Sequence, residues 1–173
     1  DKNLDIAYGS GTRRYIATKN ALSIERDQKN LYATFTVEFI CTYPFGRDTG
    51  LTSITNTSNH TSATLTVSPI EGSAPTQMPI ITITLDALTG DGDFISISND
   101  NNNQQIILMG LGLQAGDVIV IDCDERTVTV NGNEVDYFGT FLELELGANS
   151  LTYSDGFDTR TVDIVIGYYK RYL

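Results

Sequence analysis

Gly116-Asp117-Val118-Ile119-Val120-Ile121-Asp122-Cys123-Asp124-Glu125-Arg126-Thr127-Val128-Thr129-Val130-Asn131-Gly132 reads as strand, tight turn, strand, tight turn. The apolar and β-branched residues come in short runs, and Gly, Asp and Asn punctuate them. Asn131-Gly132 is the strongest hairpin signal in the chain, because a type I′ turn needs positive φ at both central positions. The spacing predicts a return strand over Glu134–Tyr137.

The same grammar extends to both sides. Ala63 to Val67 alternates until Pro69 and Gly72 break it. Ile80–Leu85, Phe94–Ile97 and Ile106–Met109 are strands, separated by the Thr89–Asp93 turn and a polar loop over Asn99–Gln105. Phe141–Leu146 reads as a further strand or edge segment, and Ser150–Tyr153 as another. The last strand, Thr161–Tyr169, puts Val162, Ile164, Ile166 and Tyr168 on one face. No stretch keeps a helical period over three turns. Short strands recurring at about 8–12 residues predict an all-β chain, an antiparallel β-sandwich of jelly-roll or galectin-like type. No repeat of fixed period is present, which argues against a propeller or solenoid.

The N-terminal third is read separately. Residues 1–11 are polar and are expected to form a loop or frayed arm. Tyr15–Ala17 and Leu22–Ile24 are short strand candidates. Leu31, Ala33, Phe35, Val37, Phe39, Cys41 and Tyr43 fall on alternate positions against a mostly polar opposite face, the pattern of a half-buried strand. Pro44 cannot donate to a sheet ladder, and the strand ends there. Residues 47–62 are polar and rich in Thr, Ser and Asn, so a boundary is expected near Phe45–Gly50. The expected division is a short β arm over 1–46 and a sandwich over 47–173. Asp1 is not a natural translation start, so the chain is expected to be a processed product or a fragment.

Composition narrows the function classes. With 173 residues the chain is long enough for a core that needs no disulfide or metal. Acidic residues number 22 against 11 basic ones, a net charge of −11. Such a chain repels nucleic-acid phosphates and anionic membrane surfaces. No apolar run approaches the roughly 20 residues of a membrane span, and no secretory signal is visible. The two cysteines, Cys41 and Cys123, are too few for a disulfide scaffold and are expected to be buried free thiols.

Catalytic patterns are equally sparse. His60 is the single histidine and sits in a loop-like SNHTS segment, so any histidine-based triad would depend on it alone. One His and two distant Cys make no recognisable zinc site. No nucleophile elbow and no phosphate-binding glycine loop is present, and no cofactor is implied. Glu143 and Glu145 would project from one face of a strand, the arrangement a glycosidase could exploit; a solvent-facing edge explains them as well. Asp91 and Asp93, and Asp122 with Asp124 and Glu125, place carboxylates in turns where calcium could bind, but Asp is expected in turns anyway. Asn56-Thr57-Ser58 and Asn59-His60-Thr61 match the N-glycosylation pattern and are taken as chance matches. No catalytic, cofactor or metal residue is assigned, and the chain is expected not to be an enzyme. The closing Tyr168-Tyr169-Lys170-Arg171-Tyr172-Leu173 is rich in residues favoured at interface hot spots, though Tyr168 could equally pack in the core while the rest cover an edge.

Two stretches resemble the distal tail protein family (Dit) of long-tailed, non-contractile phages. The first is Arg14–Ala17, Leu22–Arg26 and Phe35–Cys41, ending in Pro44-Phe45-Gly46. It is similar to the end of that family's ring-forming N-terminal domain. The second is Gly116–Asp122, Arg126–Gly132, Leu146–Tyr153 and Arg171–Leu173. It is similar to the family's C-terminal domain, a galectin-like sandwich also similar to carbohydrate-binding modules. The resemblance implies a structural component of the tail tip, or baseplate hub, in the virion. That component would be assembled in the bacterial host cytoplasm and self-associate as a ring, usually hexameric. It would join the tail tube to the tip and to other tail proteins, including receptor-binding proteins. Most of the ring-forming domain has no counterpart in this sequence. The alternative reading is a carbohydrate-binding module that recognises bacterial-surface saccharides.

Overall fold

The computed structural model describes residues 2–27, 32–58 and 62–173. The described residues form β-strands, turns and loops without a helix, and every strand pairing is antiparallel. Two compact units are present: residues 1–49 together with Arg171–Leu173, and Gly50–Lys170. The last three residues thus fall in the first unit.

The first unit is built around one long strand. β1 (Lys2–Tyr8) pairs with the first part of β2 (Gly11–Asp27), from Lys2 opposite Ala17 to Tyr8 opposite Gly11. β3 (Tyr32–Cys41) pairs with the remainder of β2, with a bulge between Lys19 and Ala21. β4 (Gly46–Asp48) lies beside Arg13 and Arg14 of β2, and β18 (Arg171–Tyr172) pairs with β4. Over the described residues 2–11, the expected loop is instead a strand and a tight turn. No residue of β1 is buried, although Leu4, Ile6 and Tyr8 alternate along it. Its ties to β2 are polar: Arg14 makes a bidentate contact with Asp5 at 2.8 and 2.9 Å, and the Tyr8 and Tyr15 hydroxyls meet at 3.2 Å. The Arg14 guanidinium holds the Asp5 carboxyl below its ordinary value. The two candidate strands at Tyr15–Ala17 and Leu22–Ile24 are parts of β2.

The alternation of β3 holds, but its burial does not. Every residue from Tyr32 to Cys41 is exposed, and Phe35 is 71% exposed. Leu22 lies opposite Val37 and Ile24 opposite Phe35, so one face of the β2–β3 ribbon carries a continuous apolar strip. Period-2 patterning specifies which face is apolar; it does not specify what covers that face. Cys41 shares the exposure, contrary to the buried thiol expected; Leu31 lies outside the described residues. The end of the chain closes over the opposite part of this unit. The Arg13 guanidinium lies 3.6 Å from the centre of the Tyr172 ring, and buried Arg171 lies 5.1 Å from that of Tyr43.

The second unit is a β-sandwich. In chain order its strands are β5 (Thr52–Ser58), β6 (Ser62–Ile70), β7 (Thr76–Gln77), β8 (Pro79–Thr89), β9 (Phe94–Asn99) and β10 (Gln104–Met109). They continue with β11 (Val118–Asp122), β12 (Thr127–Val130), β13 (Asn133–Glu134), β14 (Phe138–Gly139), β15 (Leu144–Glu145), β16 (Gly147–Asp155) and β17 (Thr159–Tyr168). One sheet runs β14-β10-β9-β16-β6, the other β13-β12-β11-β8-β17-β5, and β7 with β15 forms a short separate pair. Alternate residues of each strand supply the core. Ile81, Ile83 and Leu85 of β8 with Val162, Ile164 and Ile166 of β17 pack into one cluster with Ile95, Ile97, Ile106, Leu108 and Leu151 of the other sheet. Burying each such side chain stabilises the fold by about 1.5–3 kcal/mol.

Asn131 and Gly132 have φ of 52° and 80°, the pair of positive values the turn demands. The hairpin is shorter than expected, since only Asn133 and Glu134 pair back onto β12. Within the polar stretch 47–62, β4 ends at Asp48 and β5 spans Thr52–Ser58. β5 pairs along β17 at a sheet edge, where β-branched Thr serves as well as an apolar residue. The final strand spans Thr159–Tyr168, and Tyr168 packs in the core, which settles that part of the closing segment.

Candidate functional site

Beside the start of β10, the turn before β12 and the segment before β15 border a cavity of about 360 Å³. Its chemistry comes from Gln104, Arg126, Tyr137, Thr140, Phe141 and Glu143. The volume lies at the lower end of small-ligand pockets. Tyr137 and Phe141 pack edge to face with ring centres 5.0 Å apart, and Tyr137 keeps 37% of its surface exposed. Arg126 ends the turn out of β11 with a φ of 58°, which aims the chain back into β12.

Side-chain amides hold the rim in place of a ladder. The Glu143 amide donates to Gln104 Oε1 at 2.6 Å. Its carbonyl accepts from Asn99 Nδ2 at 2.7 Å and from Asn102 Nδ2 at 3.0 Å. Two residues on, Asn149 receives the Glu145 amide at 2.9 Å and donates to the Glu145 carbonyl at 2.8 Å, as a neighbouring strand would. These contacts explain why the strand expected over Phe141–Leu146 shrinks to Leu144–Glu145: other side chains already satisfy its backbone. Gly139 completes the frame. Its φ is 108°, and a Cβ there would lie 1.9 Å from the Gln105 carbonyl oxygen, so no other residue fits.

The carboxylates singled out from sequence are placed apart. Glu143 is half-buried on the cavity, whereas Glu145 is exposed on β15 and does not line it, so the two do not form a facing pair. Asp122 is committed to its own turn, where Oδ1 accepts the amides of Asp124 at 2.9 Å and Glu125 at 3.0 Å. Asp91 and Asp93 border a second, wider hollow of about 610 Å³ with the Gly110–Ala115 loop. Among the described residues no three His, Cys, Asp or Glu side chains gather where a metal could be held. Cys123 is buried beside the cavity, and burial pushes its thiol up to about 12. His60 and the Asn59-His60-Thr61 sequon lie outside the described residues; Asn56 and its neighbours are on β5. Gln104, Arg126, Tyr137 and Phe141 were not singled out from sequence. Gln104 lies in the polar run Asn99–Gln105, which reads as an ordinary loop, and the other three read only as parts of turns and strands.

These features define a class: an antiparallel β-sandwich carrying one small, polar, aromatic-lined cavity. The family model described as the siphovirus-type tail component, C-terminal domain, matches residues 71–172, over half of the chain, and the chain belongs to that family. Six solved chains match as well. One is the crystal structure of SPP1 Dit, described as a paradigm of the hub adsorption apparatus in phages that infect Gram-positive bacteria. The likeness has a TM-score of 0.61 at 11% sequence identity and covers 100% of this chain and 66% of that one. This chain therefore spans less than two thirds of that protein's length. No curated protein matches. The protein is a phage tail component with an all-β fold, as the Dit resemblance implies.

Proposed function

We propose that this protein is a non-enzymatic structural part of a siphophage tail hub, assembled in the host cytoplasm and placed at the tail tip between tube and tip. Membership of the tail-component family over residues 71–172 carries the reading, and the fold likeness to SPP1 Dit extends it to the whole chain. Within that role the protein self-associates, with a hexameric ring as the expected form. The apolar strip of Leu22, Ile24, Phe35 and Val37 supports this, since an exposed contiguous apolar face marks an interaction surface. The tip also contacts host-surface saccharide, a reading supported by the small cavity with its exposed aromatic ring.

Gold-labelled antibody against the protein, applied to intact virions, tests the placement. Label confined to the distal end of the tail is expected; label along the tube or on the capsid would overturn it. Light scattering on the purified chain, beside Ile24→Lys and Phe35→Lys, tests self-association. A defined oligomer that the substitutions dissociate is expected, and a wild-type monomer at high concentration would remove the ring-forming role from this ribbon.

A further inference from the structure

We propose that the cavity bordered by Arg126, Tyr137 and Glu143 is a binding site for one neutral pyranose unit. The inference rests on the saccharide-contact reading above and assigns that contact to specific residues. Three observations carry it.

The first is charge. Among the described residues the Arg126 guanidinium and the Glu143 carboxylate have no ion-pair partner, yet both line the same small cavity. A phosphate or carboxylate ligand would meet Glu143 and the net −11 of the chain; a cationic ligand would meet Arg126. Hydroxyl groups suit both, because each donates to the carboxylate and accepts from the guanidinium.

The second is shape. Tyr137 presents an exposed ring with an orientation fixed by Phe141, and the ring face offers apolar area with a polar hydroxyl at its end. The C–H face of a pyranose matches that surface, while its rim of hydroxyls matches Arg126, Glu143 and the Gln104 amide. A volume of about 360 Å³ admits one such ring with some water.

The third is rigidity. Asn99, Asn102 and Gln104 grip the Glu143 backbone from both sides, and Gly139 fits only as glycine. A rim held this way loses little freedom when a ligand arrives, so weak polar contacts are not spent on ordering it.

The test is an array of bacterial-wall saccharides probed with the wild-type chain, Tyr137→Ala and Glu143→Gln, each checked by its thermal unfolding midpoint. Tyr137 is surface-exposed, and Glu143→Gln keeps the backbone clamps, so both variants are expected to fold. Saturable wild-type binding to neutral glycans, weakened at least tenfold in both variants, supports the site. Wild-type binding that both variants retain overturns the site and leaves the saccharide contact standing elsewhere on the chain. Binding restricted to anionic glycans overturns the neutral-ligand assignment. Absence of wild-type binding overturns the saccharide contact and the site together. If the variants instead weaken capture of another tail protein, the cavity is a protein-docking site.

Discussion

Asp155 and Arg160 form an ion pair at 2.8 Å, with side chains 0% and 2% exposed. Asp155 Oδ1 also accepts the Phe157 amide at 2.9 Å, and Arg160 also donates to the Phe157 carbonyl. The pair thereby shapes the tight connection from β16 to β17. Removing one partner leaves a buried charge uncompensated. Arg160→Met is expected to lower unfolding free energy by about 3–5 kcal/mol. Urea denaturation measures this, and a loss below about 1 kcal/mol would show that water reaches Asp155.

Tyr153 stands next to this pair. Its hydroxyl and Asp155 Oδ2 are both buried, with no other partner among the described residues. Burial, then a hydrogen bond to the Asp155 carboxylate, pushes the phenol well above its ordinary range. A hydrogen bond to a charged group contributes about 1.5–3 kcal/mol. Tyr153→Phe is therefore expected to lower unfolding free energy by about 1.5–3 kcal/mol. An unchanged or higher midpoint in a thermal or urea melt would mean that the hydroxyl and the carboxylate do not bond.

The two thiols should differ sharply. Cys41 is exposed on β3, whereas Cys123 is buried and its thiol is raised to about 12 from 9.0. At pH 8 a disulfide-exchange reagent is expected to label one thiol per native chain and the second only after unfolding, because the thiolate is the reactive form. The same shift sets an alkaline limit. Between pH 9 and 12 the folded protein keeps a proton that the unfolded chain releases, so stability falls as pH rises through that window. Cys123→Ala should flatten the fall between pH 9 and 10, measured by urea midpoints at each pH.

The sandwich was legible because its strands obey two-residue alternation and its turns carry Asn, Asp and Gly. Ile81, Ile83 and Leu85 announce their shared face without reference to any other strand. β5 lacks an apolar face and draws its order from β17, and polar residues such as Thr52 carry no period; β1 does alternate at Leu4, Ile6 and Tyr8, but over three residues only and with none of them buried. The ribbon shows a subtler limit. Phe35 and Val37 were assigned to the right face, but alternation cannot show whether the cover comes from the same chain. The cavity escaped for a related reason. Glu143 was noticed as a carboxylate, whereas Gln104, 39 residues away, reaches its backbone through a side-chain contact that no local pattern encodes.

Asn149 tests how far side chains replace a ladder at the cavity rim. It is 2% exposed, and it holds both the amide and the carbonyl of Glu145. Asn99 Nδ2 also reaches Asn149 Oδ1 at 3.4 Å, so the two asparagines link β9, β16 and the rim. Asn149→Ala would leave two backbone groups of Glu145 unpaired in a half-buried setting, at a cost of about 1–3 kcal/mol each where water cannot enter. Asn149→Asp restores only the acceptor, so it should rescue the amide contact and not the carbonyl one. Hydrogen exchange separates the cases: the Glu145 amide is expected to lose protection in Asn149→Ala and to keep much of it in Asn149→Asp. If protection at Glu145 survives Asn149→Ala, the pairing of β15 with β7 holds the rim by itself and the side-chain clamp is dispensable.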